Sequence, residues 1–232
     1  MNYFAHGRPF VDRPYFLVGT AVPDMLNVVD RRVRARRKLA EPFTGDANPR
    51  IAALASGIVR HHEDDDWFHR TKAFSELSLR FTVCIRDWQS EDVSMRPLFL
   101  GHILVELLLD AWLIEREPER LDAYYAAFAK VEPQLVASTI TRMTGRSVEL
   151  MKVFVPRFLH ERFLYDYLDD AKLLYRLNQV MRRVGLPVLP DDFVSLLPTA
   201  RAQIAASAGD LLDRDGWAAT TEINGLKVKR ES

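Results

Sequence analysis

The sequence predicts an all-α fold, a single multi-helix domain, and three observations predict it. Apolar residues recur at three- and four-residue steps, most fully in Phe158, Leu159, Phe163, Leu164, Tyr167, Leu168, Leu173, Leu174, Leu177, Met181 and Val184. Proline and glycine mark the ends of such stretches, as at Pro97, Gly145, Gly185 and Pro187. No two neighbouring stretches alternate apolar and polar residues as paired strands do. The domain is expected to cover residues 1–212, with 213–232 as a polar tail.

Taken in order, residues 1–22 open with Asn2 to His6 and a proline-bearing turn around Arg8 to Pro14. A helix is expected from Pro23-Asp24 to about Leu39, with Met25, Leu26, Val28, Val29 and Val33 on its apolar face. Residues 41–50 read as a loop, because Pro, Gly, Asp and Asn cluster there. Ile51 to about Cys84 reads as one long helix or two successive ones. After a loop around Ser90 to Pro97, a helix runs to about Ile114, and charge with Pro118 breaks the chain near Glu115 to Glu119. Leu121 to about Thr144 is expected to be helical and kinked or divided at Pro133. A helix from about Ser147 meets Pro156, the long periodic run follows, and a last helix spans about Phe193 to Leu212.

Composition narrows the function classes. Hydrophobic residues make up 48% and charged residues 28%, enough apolar material for a sizeable core. Lysine plus arginine equals aspartate plus glutamate, 32 each, so the overall balance favours neither nucleic acid nor a membrane surface. The one cysteine, Cys84, excludes an internal disulfide and fits a cytoplasmic setting; among Phe81, Val83 and Ile85 it reads as a core filler. The N-terminus lacks the basic start and apolar run of a signal peptide. Leu98 to Ile114 comes nearest to a membrane span, but His102, Glu106 and Asp110 interrupt it, so a buried helix with one polar stripe is expected.

The chemistry concentrates in two stripes. His61, Asp65 and His69 stand four residues apart, and a four-residue step turns a helix by only about 40°. His102, Glu106 and Asp110 repeat the pattern in a helix apolar on nearly all sides. Carboxylates in such a setting need a metal or facing imidazoles as partners. Histidine and carboxylate ligands without a thiolate suit Zn, Mn, Fe or Mg. Such a cation supports hydrolysis of a phosphoester or a related ester. Arginines, including Arg60 and Arg70, are the other available partners, and a solvated charged face is the other reading of the first stripe. No GxGxxG, GxxxxGK[ST] or GxSxG motif is present, and His61 to Asp65 is not HExxH. The basic run Arg31, Arg32, Arg34, Arg36, Arg37, Lys38 reads as an exposed helix end, or as a patch that docks a phosphate or an acidic partner. It has no interleaved aromatics, so nucleic acid is not expected.

Four segments in order resemble the acyl carrier protein phosphodiesterases, the holo-acyl-carrier-protein hydrolases. Met1-Asn2-Tyr3-Phe4-Ala5-His6 is similar to the family's MNFLAH start, and Gly19 to Asp24 to its GN-type segment ending in aspartate. Gly57-Ile58 with His61 and Asp65 follows its GI-x-x-HR-x-ID pattern, and Glu106 and Asp110 fall on the acidic positions of its D-x-x-x-DHFL helix. The likeness covers about Met1 to Gly185 and extends to the long helix from Phe163 to Arg183. The chain departs from the pattern at His62, His69, Glu106 and Ala111, and His102 is additional.

The resemblance implies a divergent member with a fold related to the HD-type metal-dependent phosphohydrolases. It implies a divalent cation, manganese in the typical enzyme, and removal of 4′-phosphopantetheine from acyl carrier protein. The expected metal ligands are His61, Asp65 and Asp110, completed by His6 and Asp24, with Glu106 as a further ligand. Asp65, His69 and His102 are the expected catalytic groups, one histidine protonating the leaving oxygen, with Glu106, His69 and His102 read also as further ligands or as groups that orient the ligands. Acyl carrier proteins are acidic, so Arg31 to Lys38 becomes the expected docking surface. Hydrolysis of another phosphoester, such as a nucleotide or a phospholipid head group, is the first alternative. A non-catalytic helical protein with a buried His/carboxylate network is the second.

Overall fold

A computed structural model describes residues 1–89 and 96–213. These residues form α1 (Tyr3–Gly7), α2 (Pro14–Val29), α3 (Arg37–Ala40), α4 (Pro49–Phe68), α5 (Lys72–Trp88), α6 (Pro97–Arg116), α7 (Pro118–Phe128), α8 (Pro133–Thr144), α9 (Met151–Glu161), α10 (Asp170–Val184) and α11 (Leu197–Leu212), joined in places by short 3-10 turns. No strand occurs among the described residues, as the all-α expectation required. Most of the loop expected near Ser90 lies outside the described residues, as does the polar tail beyond Asp213.

Proline starts most of the longer helices. Pro14, Pro49, Pro97, Pro118 and Pro133 each open one. The missing N–H has no intrahelical partner in a first turn, and the fixed φ already suits a helix. Pro118 and Pro133, expected as a break and a kink, therefore divide the chain into α7 and α8 with a new start at each. Two other helix boundaries differ from expectation. The helix assigned to Pro23–Leu39 begins at Pro14, holds Pro23 inside it, and ends at Asp30. Pro156 likewise lies within α9, and the long periodic run is interrupted after Glu161. It resumes at Asp170, where the Asp169 side chain accepts from the Lys172 N–H at 2.8 Å.

Two close helix pairs frame the core: α2 against α4, and α5 against α6. The first pair is held at contact by glycine. A Cβ at Gly57 would lie 2.1 Å from the Phe16 carbonyl oxygen and 2.8 Å from the Gly19 Cα, so only glycine fits. This approach brings the Thr20 turn of α2 against His61 of α4. Helix α6 is long and apolar enough to cross a membrane, but most of it is buried inside the bundle, with Leu104, Leu108 and Ile114 in the core. In α5, Phe81 and Ile85 turn inward while Val83 and Cys84 face out; Cys84 is exposed and is not the core filler expected from its neighbours.

Candidate metal centre

Helix α1 is anchored by a carboxylate from another helix. Asp110 of α6 is fully buried; its Oδ2 accepts from the Phe4 N–H at 2.9 Å and its Oδ1 from the Ala5 N–H at 2.8 Å. First-turn N–H groups have no partner within their own helix, and here a side chain of the core supplies it. Burial pushes the Asp110 carboxyl up to about 7, against the pull of these two bonds. Arg8, buried beyond the end of α1, pairs with Glu117. His6 is thereby held over α4.

There it joins His61 and Asp65, whose ligand atoms converge within 4.8 Å of one another. His6 Nε2 lies 3.2 Å from Asp65 Oδ1, and His61 Nε2 lies 3.2 Å from Asp65 Oδ2. The Thr20 carbonyl oxygen sits 2.8 Å from His61 Nδ1. A carbonyl can only accept, so Nδ1 carries the proton and a neutral His61 turns its Nε2 lone pair toward the carboxylate. Two lone pairs cannot face each other at that distance without a cation between them, which is either a proton or a metal. Burial lowers the His6 pKa, but the adjacent carboxylates of Asp64 and Asp65 outweigh it and raise it to about 9. Burial also opposes ionisation of Asp65, yet His6 and His61 hold its carboxyl far below the ordinary range.

A second group, His69, His102 and Glu106, meets the same 4.8 Å criterion. His69 Nε2 is 2.9 Å and His102 Nε2 3.3 Å from the same atom, Glu106 Oε1. The two stripes therefore face each other in opposite sequence order, but neither serves one ion. His69 stands eight residues beyond His61, about 12 Å along a helix. The Met1 α-ammonium lies between the groups, 2.8 Å from Asp65 Oδ1 and 3.4 Å from Glu106 Oε1. Burial would lower its pKa, but Glu106 and Asp65 raise it to about 10. Burial would raise that of Glu106, but the ammonium, His102 and His69 hold it well below the usual range.

The remaining expected ligands are placed differently. Asp110 falls in neither group; each of its oxygens accepts one N–H from α1, so it positions the helix that carries His6. Asp24 also lies outside both groups, yet Oδ2 is buried with no hydrogen-bond partner. Burial raises its pKa, and His61 and His6 counteract that rise. Asp64, next to Asp65 in the acidic run, is fully buried, 2.7 Å from Arg60 and 3.7 Å from His6 Nδ1. Its signal was the four-residue spacing from Arg60. Asp64, Asp65 and Glu106 are held ionised around the two groups, facing Arg60 and the Met1 ammonium, while burial favours the neutral forms of Asp24 and Asp110. An imidazolium ion or a divalent cation can offset the remaining negative charge.

Asp24 and Glu106 also line a cleft of about 640 Å³. Its lining carries Arg31, Arg34 and Arg183 together with the apolar side chains Phe99, Ile103, Val153 and Phe154. Arg31 donates to the Arg183 carbonyl and Arg34 to Asn27, and no ion pair joins these three guanidinium groups to a carboxylate among the described residues. Only part of the expected docking run reaches this cleft. Residues 31–36 are not helical: Val33 and Ala35 are buried while Arg32, Arg34 and Arg36 point out, as in an extended strand. His62 fixes the segment through a 2.7 Å contact with the Ala35 carbonyl. Arg32 pairs with Asp30, and Arg37 with Glu41 and Glu63; Arg36 and Lys38 are exposed outside the cleft. Searches of family models, curated proteins and solved structures return no match to this chain.

Proposed function

We propose that this chain is a metal-dependent phosphodiester hydrolase, with holo-acyl carrier protein as the named candidate substrate. The observation that carries the reading is the His6/His61/Asp65 group beside a cleft in which Arg31, Arg34 and Arg183 have no ion pair with a carboxylate among the described residues, while Arg157 and Arg176 pair with Glu161 and Asp166. The residues fit a cation: two imidazoles and a carboxylate converge, an unpartnered Asp24 oxygen lies next to them, and the local charge is negative. A divalent cation bound there would lower the pKa of water and offset charge on a phosphoryl oxygen. His6, His61 and Asp65 would hold it, with the Asp24 carboxylate nearby as a fourth donor.

The other residues fix these ligands and receive the substrate. The Thr20 carbonyl sets the His61 tautomer and ring orientation, as outer partners of metal-bound histidines do. Asp110 holds the first turn of the helix that delivers His6. Arg31, Arg34 and Arg183 supply donors for phosphoryl oxygens, and the apolar side chains of the lining suit a substrate with an extended apolar part. In the hydrolysis, water adds to phosphorus, the bond to the leaving alcohol oxygen breaks, and that oxygen takes a proton. The acyl carrier protein assignment rests on the sequence resemblance alone; the cleft supports an anionic diester more broadly.

The test is hydrolysis of holo-acyl carrier protein beside a panel of generic phosphodiesters, with metal removed and Mn2+ restored. His61→Ala and Asp65→Ala are expected to abolish both bound metal and turnover, and Arg34→Glu to raise KM with little change in kcat. Full activity in either metal-site variant sinks the reading. No turnover on any diester, with no thermal shift from Mn2+ or Zn2+, points instead to a non-catalytic protein with a hydrogen-bonded network. A cation at 100 times its Kd stabilises the folded state by about 2.7 kcal/mol, so binding would be visible.

A further inference from the structure

We infer that His69, His102 and Glu106 form a second divalent-cation site, so that the chain binds two cations. Three observations carry it. The ligand atoms lie within 4.8 Å of one another, and both Nε2 atoms point at one carboxylate oxygen. The His69 and His102 rings are 4.8 Å apart, which leaves a small side-chain rotation to bring both nitrogens to bonding distance of an ion. The His69 and His102 side chains are 33% and 40% exposed, so water can complete the coordination and the ion can enter from solvent.

The site has a defined chemical class. Two imidazoles and one carboxylate with open positions suit Mn2+, Fe2+ or Zn2+, and disfavour Ca2+, which takes oxygen ligands. It arises from two of the residues, His69 and His102, at which the chain departs from the family it resembles. Glu106 also lines the cleft, so an ion on it would face the same bound phosphoryl group from a second direction. An ion there occupies the Nε2 lone pairs. Proton donation by His69 or His102 and cation binding are therefore exclusive roles, and stoichiometry decides between them.

The test uses the untagged full chain, dialysed free of metal and titrated with Mn2+ and, separately, with Zn2+. Calorimetry and elemental analysis are expected to give two equivalents per chain. His69→Ala/His102→Ala should lose one equivalent and keep the other, and His61→Ala should lose the complementary one. Because His69 and His102 are half-exposed, the double variant is expected to melt with the wild type in the absence of metal. His102→Asp, which restores a ligand, should recover the second equivalent. A single equivalent in the wild type overturns the inference, as do two equivalents that survive in the double variant. The readout is independent of the proposed reaction: two equivalents, one lost in the double variant, support the second site even in a chain that hydrolyses nothing.

Discussion

The two imidazole–carboxylate groups have the same composition and share α4, but α1 completes the inner one and α6 the outer one, and they are built differently. In the inner one, the His6 and His61 side chains are 0% and 4% exposed, and each is fixed by a distant element: His61 by the α2 carbonyl of Thr20, His6 by an α1 that Asp110 anchors. In the outer one, both imidazoles are partly exposed and are held by Glu106, each other and the Phe68 and Phe74 rings. A buried group must be neutralised in every folded state, so its protons or its metal are part of the fold. A half-exposed group can gain or release a cation with little effect on stability. The inner site is thus expected to be rigid and tight, the outer one weaker and exchangeable.

The largest effect should come from the anchor. Asp110→Ala leaves two buried N–H groups unpaired, which costs about 1–3 kcal/mol each. Urea unfolding should show that loss, and calorimetry should show the inner cation lost with the outer one retained. Loss of both would mean that the groups are not separable.

The next effect is a pH window in the metal-free protein. The folded-state pKa of His6 is raised from 6.5 to about 9 by Asp64 and Asp65 despite burial. Its stabilisation is fully present below 6.5 and lost as pH rises through about 9. Stability is therefore expected to fall by about 1–3 kcal/mol over that range, since one pKa unit corresponds to about 1.4 kcal/mol. The Met1 ammonium, raised from 8.0 to about 10, acts in the same direction at higher pH. Mn2+ replaces the proton, so cation affinity should rise with pH while the window flattens. A window unchanged by saturating Mn2+ would place the cation elsewhere.

Smaller effects separate the groups directly. Without metal, His61→Ala should cost about 1–2 kcal/mol, because it leaves the Thr20 carbonyl and one Asp65 oxygen without their partner. His102→Ala should cost less than about 0.5 kcal/mol, as a half-exposed substitution does. Equal costs at the two positions would erase the distinction.

The sequence made the helical class legible because periodicity and proline placement are local signals. It made His6, His61 and Asp65 legible through spacing and resemblance, and the structure brings these three together. What it hid was set by packing. Asp110 reads as a ligand by spacing, and only the arrival of α1 shows that both oxygens are engaged. Asp64 sits in a run of acids, and only burial separates it from Glu63 and Asp66. The alternation Arg32-Val33-Arg34-Ala35-Arg36 was a visible sign of extended chain, masked by the helical spacing just before it. Arg183, expected only as the end of a long helix, became a cleft residue because the end of α10 meets the segment after α2, where Arg31 donates to its carbonyl.

The central claim is that the inner group holds a divalent cation. Anomalous diffraction from crystals grown with Mn2+ tests it most directly. The account predicts a peak bonded to His6 Nε2, His61 Nε2 and Asp65. An ordered His6–Asp65–His61 hydrogen-bonded network with no peak among those atoms, at saturating Mn2+, would contradict it.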